Sequence, residues 1–384
     1  MAIEGELIVR LDCREQRVRK VTVRSTRPMV AARVLAGKTA ADAVALVPKL
    51  FSVCGGAQGA AAAAALAAAG ATGQQTDLPG RDREVMLESQ QDAFWHLLID
   101  WPNAMGSAPC ATPVATARFE IASSTRATDG TPRVNDATTM RELGVRLSTI
   151  AAEAIFGMPP AEWLGLVDVD ALRAWCADGG TVPAVLLGRV FADEPTLCRS
   201  AIPLMPLAQA DVLLRVIVPA LRDEATFARA PTWAGAPVET GALARQRNEP
   251  LVRAVHERFG NAVVTRVVAR LAELALLVLE LREIAVRTCR PSRIQSMPIG
   301  ANEGLAAVET ARGLLLHRAQ LRDGRVVDYQ IVAPTEWNFH PAGALARGLE
   351  GLESEDELGL LHSARLAVHV LDPCVGFRVE LGHA

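Results

Sequence analysis

The sequence predicts an α+β fold dominated by a helical bundle, and three observations carry that prediction. Apolar residues recur at helical spacing over most of the chain. Two short stretches alternate instead with period two about a polar turn. Hydrophobic residues make up 50% of the 384 positions, enough to fill a sizeable core.

Residues 3–9 and 17–23 alternate around a polar turn and read as a hairpin spanning 3–23. After Pro28 the period becomes helical, over 30–48 and then over the alanine-rich 57–70. Thr39-Ala-Ala-Asp42 is placed to cap a helix within the first of these. Residues 84–100 predict a helix that stops before Trp101-Pro102, because a residue preceding proline is driven out of the α region. Residues 103–136 lose periodicity and are rich in Ala, Thr, Ser, Pro and Gly, which predicts an irregular loop or insertion. Helical patterns resume at 139–157, 160–178 and 207–229. They are strongest over 261–287, a core helix whose apolar stripe is interrupted by charged residues. A second hairpin spans 313–332 around Arg322-Asp-Gly-Arg325, and a last helix, 358–371, leads into Asp372-Pro-Cys374. The whole of 1–384 reads as one domain, with the two hairpins at one end.

Composition excludes several functions. Forty basic and 43 acidic residues are interspersed for a net charge of -3, with no polybasic block to track phosphates, so nucleic acid is not an expected partner. Seven cysteines form no CxxC pair, which argues against a zinc site or a disulfide framework and for reduced thiols. The N-terminus lacks a basic segment followed by an apolar run, and Ala60–Ala69 is far short of the roughly 20 apolar residues of a membrane span. The expected location is the cytoplasm. Neither a Gly-rich phosphate loop nor a Gly-x-Ser-x-Gly elbow is present.

Four separated segments carry a resemblance. They are Ile3-Glu4-Gly5; Lys49 to Gln58, containing Phe51 and Cys54-Gly-Gly; Glu309 to Asn338, containing Arg312-Gly313 and Pro334-Thr-Glu-Trp-Asn338; and Asp372-Pro-Cys374-Val-Gly-Phe377-Arg-Val-Glu380. In this order they are similar to the four motif blocks of the nickel-iron hydrogenase large subunit. Phe51 and Phe377 stand where that family has one cysteine of each CxxC pair. Glu6, Gln58 and Glu380 stand at its histidine positions, and Ala311 at a proline.

The resemblance implies that Cys54 and Cys374 are the metal ligands left from a set of four, too few for a nickel cage, so neither nickel nor hydrogen cleavage is expected. Soft thiolates still suit an iron already carrying two cyanides and a carbonyl, and the two phenylalanines would keep the pocket apolar. Arg312 matches the arginine that donates to the cyanides, and Glu4 and Asp372 match carboxylates that orient the cysteines and relay protons. His317, Trp337 and Asn338 read as folding residues. Only four residues follow Glu380, so processing of a C-terminal tail is not expected. Together these features resemble the HupK/HoxV group of hydrogenase expression and formation proteins. They imply a non-enzymatic scaffold that transiently carries the iron dicyano-carbonyl unit. Its partners would be the hydrogenase large-subunit precursor and the Hyp maturation proteins, including the small iron-delivering chaperone. The competing readings are a metal-free chaperone for hydrogenase subunits and a divergent active hydrogenase.

Overall fold

The computed structural model describes residues 5–51, 53–71, 77–125, 137–207, 210–223, 226–283 and 292–383. Glu4 and Cys289 therefore lie outside the described residues.

The first hairpin forms as β1 (Glu6–Arg14) and β2 (Arg17–Ser25), with Glu15 and Gln16 both at positive φ in a tight turn that suits the strand twist. A strand that the sequence reading did not separate, β7 (Gly376–His383), pairs parallel to β1 from Glu6↔Gly376 to Cys13↔His383. The second sheet is an antiparallel meander of β3 (Ile294–Gly300), β4 (Glu303–Thr310), β5 (Gly313–Arg322) and β6 (Arg325–Val332). Its β5–β6 turn places Asp323 and Gly324 at positive φ, where the Asp-Gly signal put it.

The alanine-rich helix Gly55–Ala68 lies on β4 and β5 and is buried almost all round. Small side chains let the backbones approach closely: a Cβ on Gly304 would lie 2.2 Å from the carbonyl oxygen of Ala65. The other organising element is Val263–Arg282, in which Arg266, Arg270 and Glu273 are buried and paired. Arg266 meets Glu239 through two bonds of 2.8 Å, Glu273 accepts from Arg245 at 2.6 and 2.9 Å, and Arg270 reaches Asp372 at 2.9 Å. No described helix is long and apolar enough to cross a membrane.

Thr39 caps the helix Ala40–Leu46, accepting from the Asp42 N–H at 3.2 Å. Elsewhere local signals were overridden. The helix Leu78–Trp95 does not stop before Trp101-Pro102 but continues through a π-helical turn, His96–Asp100, into Trp101–Ala104. Pro102 cannot donate to the Leu98 carbonyl four residues back, and the Cys110 N–H supplies that bond instead at 2.8 Å. Within the expected irregular segment, Ala111–Thr125 is a helix that buries Val114, Ala117 and Ile121, while 126–136 lies outside the described residues. Its Ser and Thr residues weaken intrinsic propensity, and packing of a narrow apolar face makes up the difference. The stretch 160–178 splits into Pro160–Trp163 and Val169–Asp178, the second capped by Asp168.

Candidate functional site

Cys54 is the N-cap residue of the helix Gly55–Ala68. The N–H groups of Gly56 and Ala57 donate to the Glu88 carboxyl group at 2.7 and 3.1 Å, satisfying two donors that a helix start leaves open. Burial and neighbouring Asp92 push the Glu88 carboxyl up to about 7, and the bonds from the two N–H groups and Arg312 oppose this. A Cβ at Gly56 would sit 2.8 Å from the Glu88 oxygen, so a side chain there would push the carboxyl group back from the two N–H groups.

One turn along, buried Gln58 donates through Nε2 to the Cys54 sulfur at 3.6 Å. Its Oε1 lies 2.8 Å from His317 Nε2, and His317 Nδ1 lies 2.7 Å from the Tyr329 hydroxyl. With the Gln58 amide donating to sulfur, its oxygen accepts from His317 Nε2–H, and Nδ1 accepts from Tyr329. The chain Tyr329–His317–Gln58 thus ends in a donor aimed at Cys54. Burial holds His317 neutral by pushing its pKa down to about 3, so no charge is stranded. The same burial, with Cys374 and Glu88 nearby, pushes the Cys54 thiol far up, and Arg312 opposes this.

Cys374 follows the helix Glu357–Leu371, which ends where Asp372 takes a left-handed conformation, φ 56°, ahead of Pro373. The Cys374 N–H donates to Thr335 Oγ1 at 3.1 Å, and the Cys374 sulfur lies 3.0 Å from that hydroxyl. Arg27, at the exit of β2, donates through Nη2 to the same sulfur at 2.6 Å and reaches Glu336 Oε2 at 3.4 Å. A Cβ on Gly5, whose φ is +75°, would sit 2.6 Å from the Arg27 Cα, which explains the glycine of Ile3-Glu4-Gly5.

Arg312 donates to Asp92 and places Nε 3.3 Å from Asp372 Oδ1. Burial alone would raise the Asp372 pKa, but Arg312 and Arg270 hold its carboxyl well below the usual carboxylate range. The backbone here is fixed by Asn338, which donates to the Arg312 carbonyl at 3.2 Å and accepts from the Thr240 N–H at 2.9 Å.

These groups surround two cavities. One, of about 340 Å³, is lined by both Cys54 and Cys374 together with Arg27, Phe51, Arg229 and Glu336. The other, of about 420 Å³, is lined by Cys374, Arg312, Asp372, Asp92, Val53 and Trp95. The structure therefore gathers Cys54, Cys374, Arg312 and Asp372 in one place, whereas Glu4 lies outside the described residues. Phe51 lines the first cavity. Phe377, expected to do the same, does not: it pairs with Leu7 of β1, shares that strand's inward face, and meets the His369 ring edge-on at 4.9 Å. Cys13, Cys110, Cys176 and Cys198 are free thiols that line neither cavity. Among the described residues no three His, Cys, Asp or Glu side chains are grouped to hold a metal ion. Arg27, Glu88 and Tyr329 were not singled out from sequence. Only Glu336, a carboxylate inside an otherwise matching loop, carried a readable signal.

The model of the nickel-dependent hydrogenase family matches residues 248–379. In sequence the chain is similar to the hydrogenase expression/formation protein HoxV of Cupriavidus necator, 31% identical over 369 residues, covering 93% of this chain and 92% of that one. It is similarly related to HupK of Rhizobium leguminosarum bv. viciae, 31% identical over 382 residues, covering 95% and 93%. In structure it is similar to the NiFeSe hydrogenase of Desulfovibrio vulgaris Hildenborough, with a TM-score of 0.58 over 97% of this chain and 99% of that chain. At 18% identity this last likeness carries the fold alone. With 31% identity along nearly the whole of both chains, the protein belongs to the HoxV/HupK family of hydrogenase expression/formation proteins, built on the nickel-iron hydrogenase large-subunit fold.

Proposed function

We propose that this chain serves hydrogenase maturation as a non-catalytic carrier, holding an iron dicyano-carbonyl unit between Cys54 and Cys374 before transfer to the large-subunit precursor. The observation that supports this most is the convergence of two thiols, 320 positions apart in the sequence, on one largely apolar cavity. Each sulfur already accepts a hydrogen bond, from Gln58 and from Arg27, as a thiolate ligand would need. Two thiolates are a sparse donor set for a bare metal ion, but they suffice for iron whose other positions are filled by its own strong ligands. Arg312, fixed by Asp92 and Asp372 at the second cavity, supplies a guanidinium suited to cyanide nitrogen. The partners in this reading are the precursor and the Hyp proteins of the cytoplasm, including the small chaperone that delivers iron.

The test is infrared spectroscopy with iron and nickel analysis on protein purified anaerobically from cells making the Hyp proteins. Cyanide and carbonyl bands with iron and without nickel are expected, and they should vanish in both Cys54→Ala and Cys374→Ala. Protein that shows no bands yet binds the precursor would replace this reading with that of a metal-free chaperone.

A further inference from the structure

We propose that Arg27 makes the cavity holding the two thiols selective for an anionic iron fragment and closes it to a bare divalent metal ion. This inference rests on the carrier reading above and concerns what the carrier admits.

The argument begins with charge. The cavity is lined by four charged side chains, Arg27, Arg229, Asp328 and Glu336. Asp328 is committed to Arg318, which donates to it at 2.5 Å. That leaves two guanidiniums against the one carboxyl group of Glu336. The pairing between Arg27 and Glu336 is weak, a single contact of 3.4 Å, and Glu336 Oε1 has no hydrogen-bond partner although the residue is only 5% exposed. Burial also favours the protonated form of Glu336, which leaves still less negative charge to offset Arg27. At the second cavity the balance differs, because the lining sets Arg118 and Arg312 against Asp92, Asp100 and Asp372, two cations against three carboxyl groups. Surplus positive charge therefore lies on the Arg27 side.

Position matters as much as charge. The guanidinium of Arg27 is 2.6 Å from the Cys374 sulfur, within the space that a metal ion bound to that sulfur would contest. A divalent ion meets a fixed cation there. An iron fragment bearing two cyanides and bound by two thiolates carries net negative charge, and a guanidinium can donate to both sulfur and cyanide nitrogen. The unpartnered Glu336 Oε1 offers Arg27 a second bond if the guanidinium turns from the sulfur, so the cation stays at the cavity while cargo is accommodated.

The test uses the metal-free, full-length chain with Arg27→Met and Arg27→Lys, probed with thiocyanate by its infrared nitrile stretch and with cobalt(II) by its sulfur-to-metal absorption. The wild-type chain should bind thiocyanate saturably and take up no cobalt. Arg27→Met should bind thiocyanate at least about tenfold more weakly, in keeping with the loss of a charged hydrogen bond. It should also take up cobalt with a sulfur absorption that Cys374→Ser removes. Arg27→Lys keeps the charge and should still exclude cobalt, which separates an electrostatic role from simple loss of folding. Thiocyanate binding unchanged in Arg27→Met, or cobalt binding as tight in the wild-type chain as in that variant, would overturn the proposal. Neither probe involves iron, so this test can fail while iron-bound cyanide and carbonyl bands uphold the carrier reading, and the reverse also holds.

Discussion

Replacing His317 by glutamine should change the acid sensitivity of the whole fold. His317 is fully buried between Tyr329 and Gln58, and burial lowers its pKa from the ordinary value of 6.5 to about 3. As pH falls, the unfolded chain therefore takes up this proton first. The stability tied to neutral His317 is intact above pH 6.5 and is lost progressively as pH falls toward the folded-state value. Between about pH 7.5 and about pH 4 the unfolded state gains roughly 2.5 units of protonation advantage. At about 1.4 kcal/mol per unit this amounts to ~3 kcal/mol of lost stability. Glutamine does not titrate and cannot reproduce both bonds, so the variant should start ~1–3 kcal/mol less stable near neutral pH. Its deficit should then shrink or invert in acid, while His96, which is also buried, cancels because both chains contain it. Urea unfolding of the two chains at the two pH values measures the gap directly. A gap of the same size at both values would refute the claim that His317 is held neutral by its surroundings.

Three further outcomes are expected. Gly304→Ala places a Cβ 2.2 Å from the Ala65 carbonyl oxygen and 2.5 Å from the Ala69 nitrogen, both backbone atoms, so thermal unfolding should show a loss of ~3 kcal/mol. Arg266→Met strands Glu239, which is 1% exposed and bonded to Arg266 through both oxygens; denaturant unfolding should register ~3–5 kcal/mol, and a loss under ~1 would contradict the pairing. Thr335→Val removes the acceptor for the Cys374 N–H and the hydroxyl beside its sulfur; stability should fall by ~1–2 kcal/mol, and in the carrier reading the iron content of protein purified with the maturation machinery should fall with it.

What could be read from the sequence, and what could not, follows from the physics of each element. β1 turns Leu7, Val9 and Leu11 into the core and β2 turns Val21 and Val23, an alternation the sequence displays, and the β5–β6 turn announces itself through Asp323-Gly324. β4 is covered on both faces, so Glu303–Thr310 is buried along almost its whole length and shows no alternation. β7 does alternate, Phe377, Val379 and Leu381 against Arg378 and Glu380, but was read only as a motif, and that is why Phe377 was wrongly sent to the cavity. Pro102 was read as a stop because the rule concerns a local clash, whereas the compensating bond comes from Cys110 across a turn. At the site, Cys54, Cys374, Arg312 and Asp372 were legible because each lies in a motif block. Arg27 was not, because its meaning arises from a contact with a sulfur 347 positions away.

That distance bears on how a carrier could let go. Cys54 begins the helix whose alanines join the core around the four-stranded sheet, and Cys374 is packed against the larger core that includes β1. A cargo bound by both sulfurs would tie the two cores together and stabilise the folded chain by mass action. Holding it too firmly would defeat transfer, and the protonation of Cys54 works against that. Burial pushes its thiol far up, so in the carrier reading loading would expel a proton from a buried site and departure of the cargo would let it return. The donor from Gln58 and the charge of Arg312 lower that cost without removing it. In the carrier reading, Cys54 is thus the sulfur that makes binding reversible, and Cys374, already bonded to Arg27 and Thr335, is the one prepared in advance to receive the cargo.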